Sequence, residues 1–190
     1  NVACQVTSLL ATIAISGSLC TGAVLGPCGD SSRRVWQPPL AANLKTSFFV
    51  PNLYKLKFDP DPVWRAFSID EFDRAFVCKV HDMSLEEYYE HTSALGRGDA
   101  DGFAKFRRLK SPLFVLHSAD DPIIPHETNF ADAAATASPY VTFLTTDKGG
   151  HVGWPTRNAR NWHFMSAAAL AFATAALDFK NTATTPSGGS

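Results

Sequence analysis

The second half of this 190-residue chain predicts an α/β fold built on a parallel sheet. Three observations carry that expectation. PLFVLH (112–117) and YVTFLT (140–145) are short apolar runs bounded by turn residues, the pattern of strands buried on both faces. ETNFADAAATA (127–137) lies between them and reads as an Ala-rich helix. A strong helical pattern over 160–180, through MSAAALAFATAALDF, follows the second strand. Alternation of strand and helix implies parallel strands with helices on the sheet faces.

A hydrophobic content of 45% excludes a disordered chain, and a chain of this length buries about 70% of its unfolded surface. The formal net charge of −1 argues against binding nucleic acid through phosphate contacts. The 14 Phe and 4 Trp call for a large apolar core, an apolar pocket, or both. Cys4, Cys20, Cys28 and Cys78 form no C-x-x-C pair and read mostly as buried thiols.

Along the first half, residues 4–15 (CQVTSLLATIAI) read as a buried helix, apolar on nearly all faces. Residues 22–26 (GAVLG) read as a short buried strand ending at Pro27, and 27–39 as loop. The uncharged stretch Val6–Gly26 is diluted by Ser, Thr and Gly, which argues against a membrane span. No Lys or Arg precedes Arg33, so a secretory signal is not expected, and an intracellular or membrane-associated placement is. From Asn43 to Leu109 the pattern is helical and irregular, with a breaker at Pro51. Ser84 with Glu87 three residues on forms a capping-box signature. GRGDADG (96–102) reads as a turn-rich linker, and the tail TTPSGGS as disordered.

In an open parallel sheet, ligands bind beyond the carboxyl ends of the strands. Two loops lie there, HSADDPIIP after the first strand and DKGGHVGWP after the second. One helix and one strand separate them, which places the loops side by side. A carboxylate in one loop then orients the imidazole of His151 in the other, fixing the tautomer a general base needs. Gly149 and Gly150 allow the sharp turn, and Pro122 stiffens the acid loop. Asp120 and Asp121 compete for the acid role. Trp154 is a candidate for the mouth of the site.

These loops resemble those of the α/β-hydrolase fold, whose order is nucleophile, acid, then histidine. The doublet DDP, the loop GGHVGW and the segment FDRAF…SLEEYYEHTSAL (72–95) resemble one branch in particular. That branch holds YheT-like hydrolases, embryogenesis-associated hydrolases and membrane-associated α/β-hydrolase-domain lipases. The resemblance puts the acid directly before the proline, hence Asp121, with His151 as the base. Asp120 is then solvated or caps the turn. It also implies a parallel sheet with flanking helices, a helical cap insertion and a missing N-terminal half. Residues 1–42 would be the core helix and strand after the nucleophile elbow, 43–110 the cap, 111–180 the core with both loops, and 181–190 a disordered tail.

A serine hydrolase needs G-x-S-x-G on a strand-to-helix turn. Gly29-Asp30-Ser31 lacks the second glycine, and Ser18 in SGSLCTG does not fit. In the family the elbow is followed by an apolar buried helix, a short strand and a Pro/Asp-containing loop, an order that residues 1–30 resemble, so the resemblance implies a nucleophile before Asn1. The implied activity is hydrolysis of carboxylic esters of lipids, acylglycerol or phospholipid in type, without a cofactor or metal. A lipid substrate brings peripheral membrane contact as a further expectation; oligomeric state is left open. Two other readings stand beside it: a catalytically inactive or binding protein, and an acyltransferase or thioesterase on the same fold.

Among other residues, His117 reads as a hydrogen-bonded core residue or a support to the site. Asp59, Asp61, Asp70, Glu71 and Asp73 lack a calcium-loop pattern and read as a solvated face. The aromatics between Phe48 and Tyr89 suit cap packing, an acyl-chain pocket, or both.

Overall fold

The computed structural model describes residues 9–24, 34–96, 98–154 and 163–184. Three strands, β1 (Thr12–Ile15), β2 (Leu113–Ser118) and β3 (Val141–Thr146), form a parallel sheet in the order β1-β2-β3. Thr12 pairs with Leu113, and Leu113 with Val141. The helices are α1 (Thr21–Val24), α2 (Gln37–Leu44), α3 (Val50–Asn52), α4 (Asp61–Arg65), α5 (Ile69–Phe72), α6 (Cys78–His81), α7 (Leu85–Thr92), α8 (Ala100–Phe106), α9 (Ala131–Ala137) and α10 (Phe164–Thr184).

Every residue of β2 is buried, because the strand is central and helices cover both its faces. Its side chains alternate between those faces. Leu113 and Val115 join Leu19, Cys20, Leu95, Phe106 and Ala134, the core under α8 and α9. Phe114 and Leu116 pack on the other face with Trp154, Phe164, Met165 and Phe172 of the α10 side. Phe114 stacks on Phe172 at 4.9 Å. A separate core, Phe49, Val63, Ala66 and Phe72, holds the helical segment that precedes α8. Each large side chain in it contributes roughly 1.5–3 kcal/mol by leaving water.

The helical segment follows its local signals. Ser84 accepts from the Glu87 N–H while the Glu87 carboxylate accepts from the Ser84 N–H, closing the expected capping box on α7. Pro51 does not break the chain into separate helices. A π turn, Lys45–Phe49, joins α2 to α3 just before it. A second π turn, Asp73–Val77, joins α5 to α6.

The structure corrects several expectations. Residues 12–15 of the expected helix 4–15 are β1, while 4–8 lie outside the described residues. A uniformly apolar run carries no period, and β-branched Thr12, Ile13 and Ile15 suit a strand. The pairing is extended at each end by Thr12 N–H to Pro112 C=O and Ser16 N–H to Leu116 C=O. The expected strand 22–26 is helical over Thr21–Val24 where described. The expected loop 27–39 already turns into α2 at Gln37, with Pro38 and Pro39 in its first turn, where amides have no intrahelical partner. The 96–102 linker ends at Asp99, whose carboxylate caps α8. The helix 127–137 divides at Phe130, which takes a left-handed conformation between the 3₁₀ turn His126–Asn129 and α9. β3 is not buried throughout: Thr142, Leu144 and Thr145 are exposed, since β2 is its one neighbour among the described strands. The helix α10 reaches Thr184, past the expected start of the tail at 181; the remaining tail lies outside the described residues. Cys20 and Cys78 are buried free thiols, and Cys4 and Cys28 lie outside the described residues.

Candidate active site

The carboxyl ends of β2 and β3 deliver two loops to one edge of the sheet. Their parallel pairing runs to His117 against Thr145 and Ser118 against Thr146, and Ala119 N–H to Thr146 C=O extends it. The acid loop and the histidine loop therefore leave the sheet side by side.

Asp121 sits where β2 turns away. Its Oδ1 accepts from the Ile123 N–H at 2.8 Å and the Ile124 N–H at 3.0 Å, an Asx-type turn across Pro122. Its Oδ2 accepts from Nδ1–H of His151 at 2.8 Å. The Asp121 side chain is wholly shielded from solvent, whereas 32% of the His151 side chain is exposed. With the Nδ1 proton committed to the carboxylate, the neutral ring keeps its lone pair on Nε2, which has no protein partner among the described residues.

His117 supports Asp121 from below. Its Nε2 donates to the Ile124 C=O at 2.9 Å and lies 3.7 Å from Asp121 Oδ2. Its Nδ1 accepts from the Asn129 side-chain amide at 3.2 Å. The Asn129 Oδ1 accepts from the Leu19 N–H at 2.9 Å, which fixes the amide orientation. The segment after β1, the 3₁₀ turn before α9 and the acid loop are thereby joined through one buried chain of hydrogen bonds. His117 is thus a fully paired core residue behind the site. Asn129 was not a sequence candidate; nothing short of the fold places it beside His117.

Asp120 is solvated, as expected, and in addition bonds the facing loop. Its Oδ1 accepts from the Gly149 N–H and the Gly150 N–H, each at 2.8 Å, and from the Ser118 hydroxyl. The Ser118 hydroxyl and the glycine amides hold its carboxyl below the usual carboxylate range. The two acids of the doublet thus act on different parts of one loop: Asp121 meets the ring, Asp120 the backbone before it. The sequence signal for this was an acceptor doublet facing a glycine pair across the site.

Both glycines are required by the structure. Gly150 has φ +61°, and a Cβ on Gly149 would lie 2.4–2.7 Å from the Trp154 indole. Trp154 is buried against Phe114 and Leu116, and its Nε1–H donates to the Thr146 hydroxyl at 2.8 Å. It anchors the loop in the core instead of lining the site mouth, because its ring folds back under Gly149. Ser18 accepts from the Cys20 N–H at 3.2 Å in the turn after β1, and Ser31 lies outside the described residues. Ser16, with φ 50° and a buried hydroxyl lacking a partner among the described residues, closes β1 on the same edge of the sheet.

The acidic face of the helical segment is only partly solvated. Asp73 is buried and accepts from the Tyr89 hydroxyl at 3.0 Å. Burial raises its pKa to about 6, with a smaller push from Asp70 and partial relief from the Tyr89 bond. Among the described residues, no group of three His, Cys, Asp or Glu could hold a metal ion, and no helix is long and apolar enough to cross a membrane.

No family model matches the chain. Among curated proteins, it is 32% identical over 81 residues, 42% of its length, to the monoacylglycerol lipase of Saccharomyces cerevisiae. It is 25% identical over 127 residues, 66% of its length, to the medium-chain fatty acid ethyl ester synthase/esterase 2 of the same yeast. It is 26% identical over 113 residues, 56% of its length, to the phospholipase ABHD3 of Homo sapiens. These stretches span 16%, 24% and 25% of the respective relatives. A parallel α/β sheet with a paired aspartate and histidine at its carboxyl edge is accordingly found in a chain whose similarity runs to parts of lipid-ester hydrolases.

Proposed function

We propose that this chain carries the acid and the base of a Ser-His-Asp hydrolase of the α/β-hydrolase fold, acting on carboxylic esters of lipids. The observation that carries the reading is the 2.8 Å bond from His151 Nδ1 to the shielded Asp121 carboxylate. The lipase and phospholipase names of the relatives support the substrate class.

In the proposed reaction a serine hydroxyl attacks the acyl carbonyl while His151 Nε2 takes its proton. Asp121 stabilises the resulting imidazolium and keeps the ring in its tautomer. The imidazolium returns the proton to the leaving alcohol, and an acyl-enzyme remains. Water then repeats the sequence with His151 again as base, releasing the carboxylic acid.

The serine and the oxyanion donors are proposed to lie upstream of Asn1. Two features support this. No G-x-S-x-G occurs in the 190 residues. β1 has β2 as its one neighbour among the described strands, leaving its other edge for a further strand. We assign the helical segment between β1 and β2 as the cap; Phe49 and Phe72 are buried in a core of its own, while Phe48, Trp64 and Phe67 are exposed and would be the apolar surface for an acyl chain.

A second reading is favoured by one relative, the ester synthase/esterase: an alcohol in place of water would accept the acyl group. The same residues serve both, so the acceptor decides the outcome.

Labelling of the full-length protein with a fluorophosphonate probe tests the proposal. Labelling is expected at a serine before Asn1 and is expected to vanish in His151→Ala. Labelling at Ser16, Ser18 or Ser31 would overturn the upstream assignment. Absence of labelling together with absence of monoacylglycerol or phospholipid hydrolysis would overturn the activity.

A further inference from the structure

We propose that Asp120 is a positioning residue that sets the histidine loop in register with the acid loop, so that His151 reaches Asp121. The inference rests on the reading of Asp121 and His151 as the catalytic acid and base.

Three donors converge on one oxygen. Asp120 Oδ1 receives the Gly149 and Gly150 N–H groups, each at 2.8 Å, together with the Ser118 hydroxyl. Two successive amides directed at a single acceptor fix the orientation of the intervening peptide. The next residue is His151, whose Cα lies one virtual bond of about 3.8 Å from that of Gly150. The loop is held a second time on its far side. There the Trp154 N–H donates to the Gly149 C=O at 2.8 Å and the indole is buried. His151 therefore sits between a polar anchor and an apolar one. No hydrogen bond joins Asp120 to the His151 ring, so its action passes through the backbone. The Ser118 hydroxyl comes from the last residue of β2, which ties the acceptor to the most buried strand of the sheet.

This geometry separates acceptor placement from charge. Asn at 120 keeps an oxygen at Oδ1, while Glu keeps the charge and moves the oxygen by one methylene. In the full-length protein, Asp120→Asn is expected to retain ester hydrolysis within a few-fold. Asp120→Glu and Asp120→Ala are expected to lose about a hundredfold in kcat, the scale of a small misplacement of a reacting group, with KM little changed. By proton NMR, the low-field His151 Nδ1–H resonance should persist in Asp120→Asn and broaden or shift in Asp120→Glu.

Wild-type kcat and resonance in both Asp120→Ala and Asp120→Glu would overturn the proposal. So would an active Asp120→Glu beside an inactive Asp120→Asn, which would assign the role to charge. If Asp120→Ala does not fold, the Asn and Glu pair decides alone. A wild-type protein without a low-field resonance sensitive to Asp121→Ala would overturn the underlying reading of the couple, a result distinct from either outcome for Asp120.

Discussion

The Asn129 amide donates to Nδ1 of His117 across 3.2 Å, while its oxygen takes the Leu19 N–H at 2.9 Å. One buried side chain thereby joins the segment after β1 to the histidine behind the acid loop. Asn129→Ala leaves two buried groups without partners, each costing about 1–3 kcal/mol. Urea unfolding is expected to show a loss on that scale, and Asn129→Asp, which cannot donate to Nδ1 when ionised, is expected to be no better.

Removing the ring tests the site against the scaffold. His151 is one-third exposed, and among the described residues its ring bonds Asp121 alone. His151→Ala should lower kcat by about 10⁶-fold in the full-length protein, with a small change in unfolding midpoint. Asp121→Asn should cost about 10,000-fold by favouring the wrong tautomer. It should also weaken the turn that accepts from Ile123 and Ile124. Comparable activity in Asp121→Asn and wild type would contradict the assigned acid.

Gly149→Ala sets a methyl group against the indole of Trp154, within 2.4–2.7 Å of three ring atoms. The ring is buried and cannot retreat without leaving Phe114 and Leu116. A loss of about 1–3 kcal/mol is expected from overpacking, with a red shift in the tryptophan emission as the ring is displaced. An unshifted spectrum with unchanged stability would show that the loop accommodates the methyl elsewhere.

Asp73 makes a pH-dependent contribution away from the site. Its folded pKa, about 6, lies above the ordinary value of 3.8, so between these values the folded protein holds a proton that the unfolded chain has lost. The folded state is favoured by this group at low pH, and the advantage is lost as pH rises through about 6. Urea midpoints of wild type relative to Asp73→Asn should fall across that window. Tyr89→Phe removes the bond that lowers the Asp73 pKa and should move the window upward.

The parts legible in the sequence were those with local punctuation. β2 stands between Pro112 and the Asp-Asp-Pro turn, and Ser84 announces α7 through its capping partner. The meeting of Asp121 and His151 followed from two loops leaving neighbouring parallel strands at the same edge. Thr12–Ile15 was misread because an apolar stretch without polar breaks has no period to separate a buried strand from a buried helix. The Asp120 clamp and the burial of Trp154 depend on where a distant loop folds back. The burial of Asp73 depends on Tyr89 from another helix, a pairing that no local pattern encodes.

The register that sets Thr12 against Leu113 also orders events in time. β2 and β3 pair over a short crossover, whereas β1 must wait for about a hundred residues before its partner exists. At ribosomal speeds of about 5–20 residues per second, that wait is on the order of ten seconds. Throughout it the β1–β2 ladder cannot form, and the intervening helices have their own core to build. Closing so long a loop carries a logarithmic entropy cost that is repaid only when β2 arrives. The β1–β2 ladder is therefore seated only after the whole helical segment has been made, whereas β3 follows β2 across a single short helix.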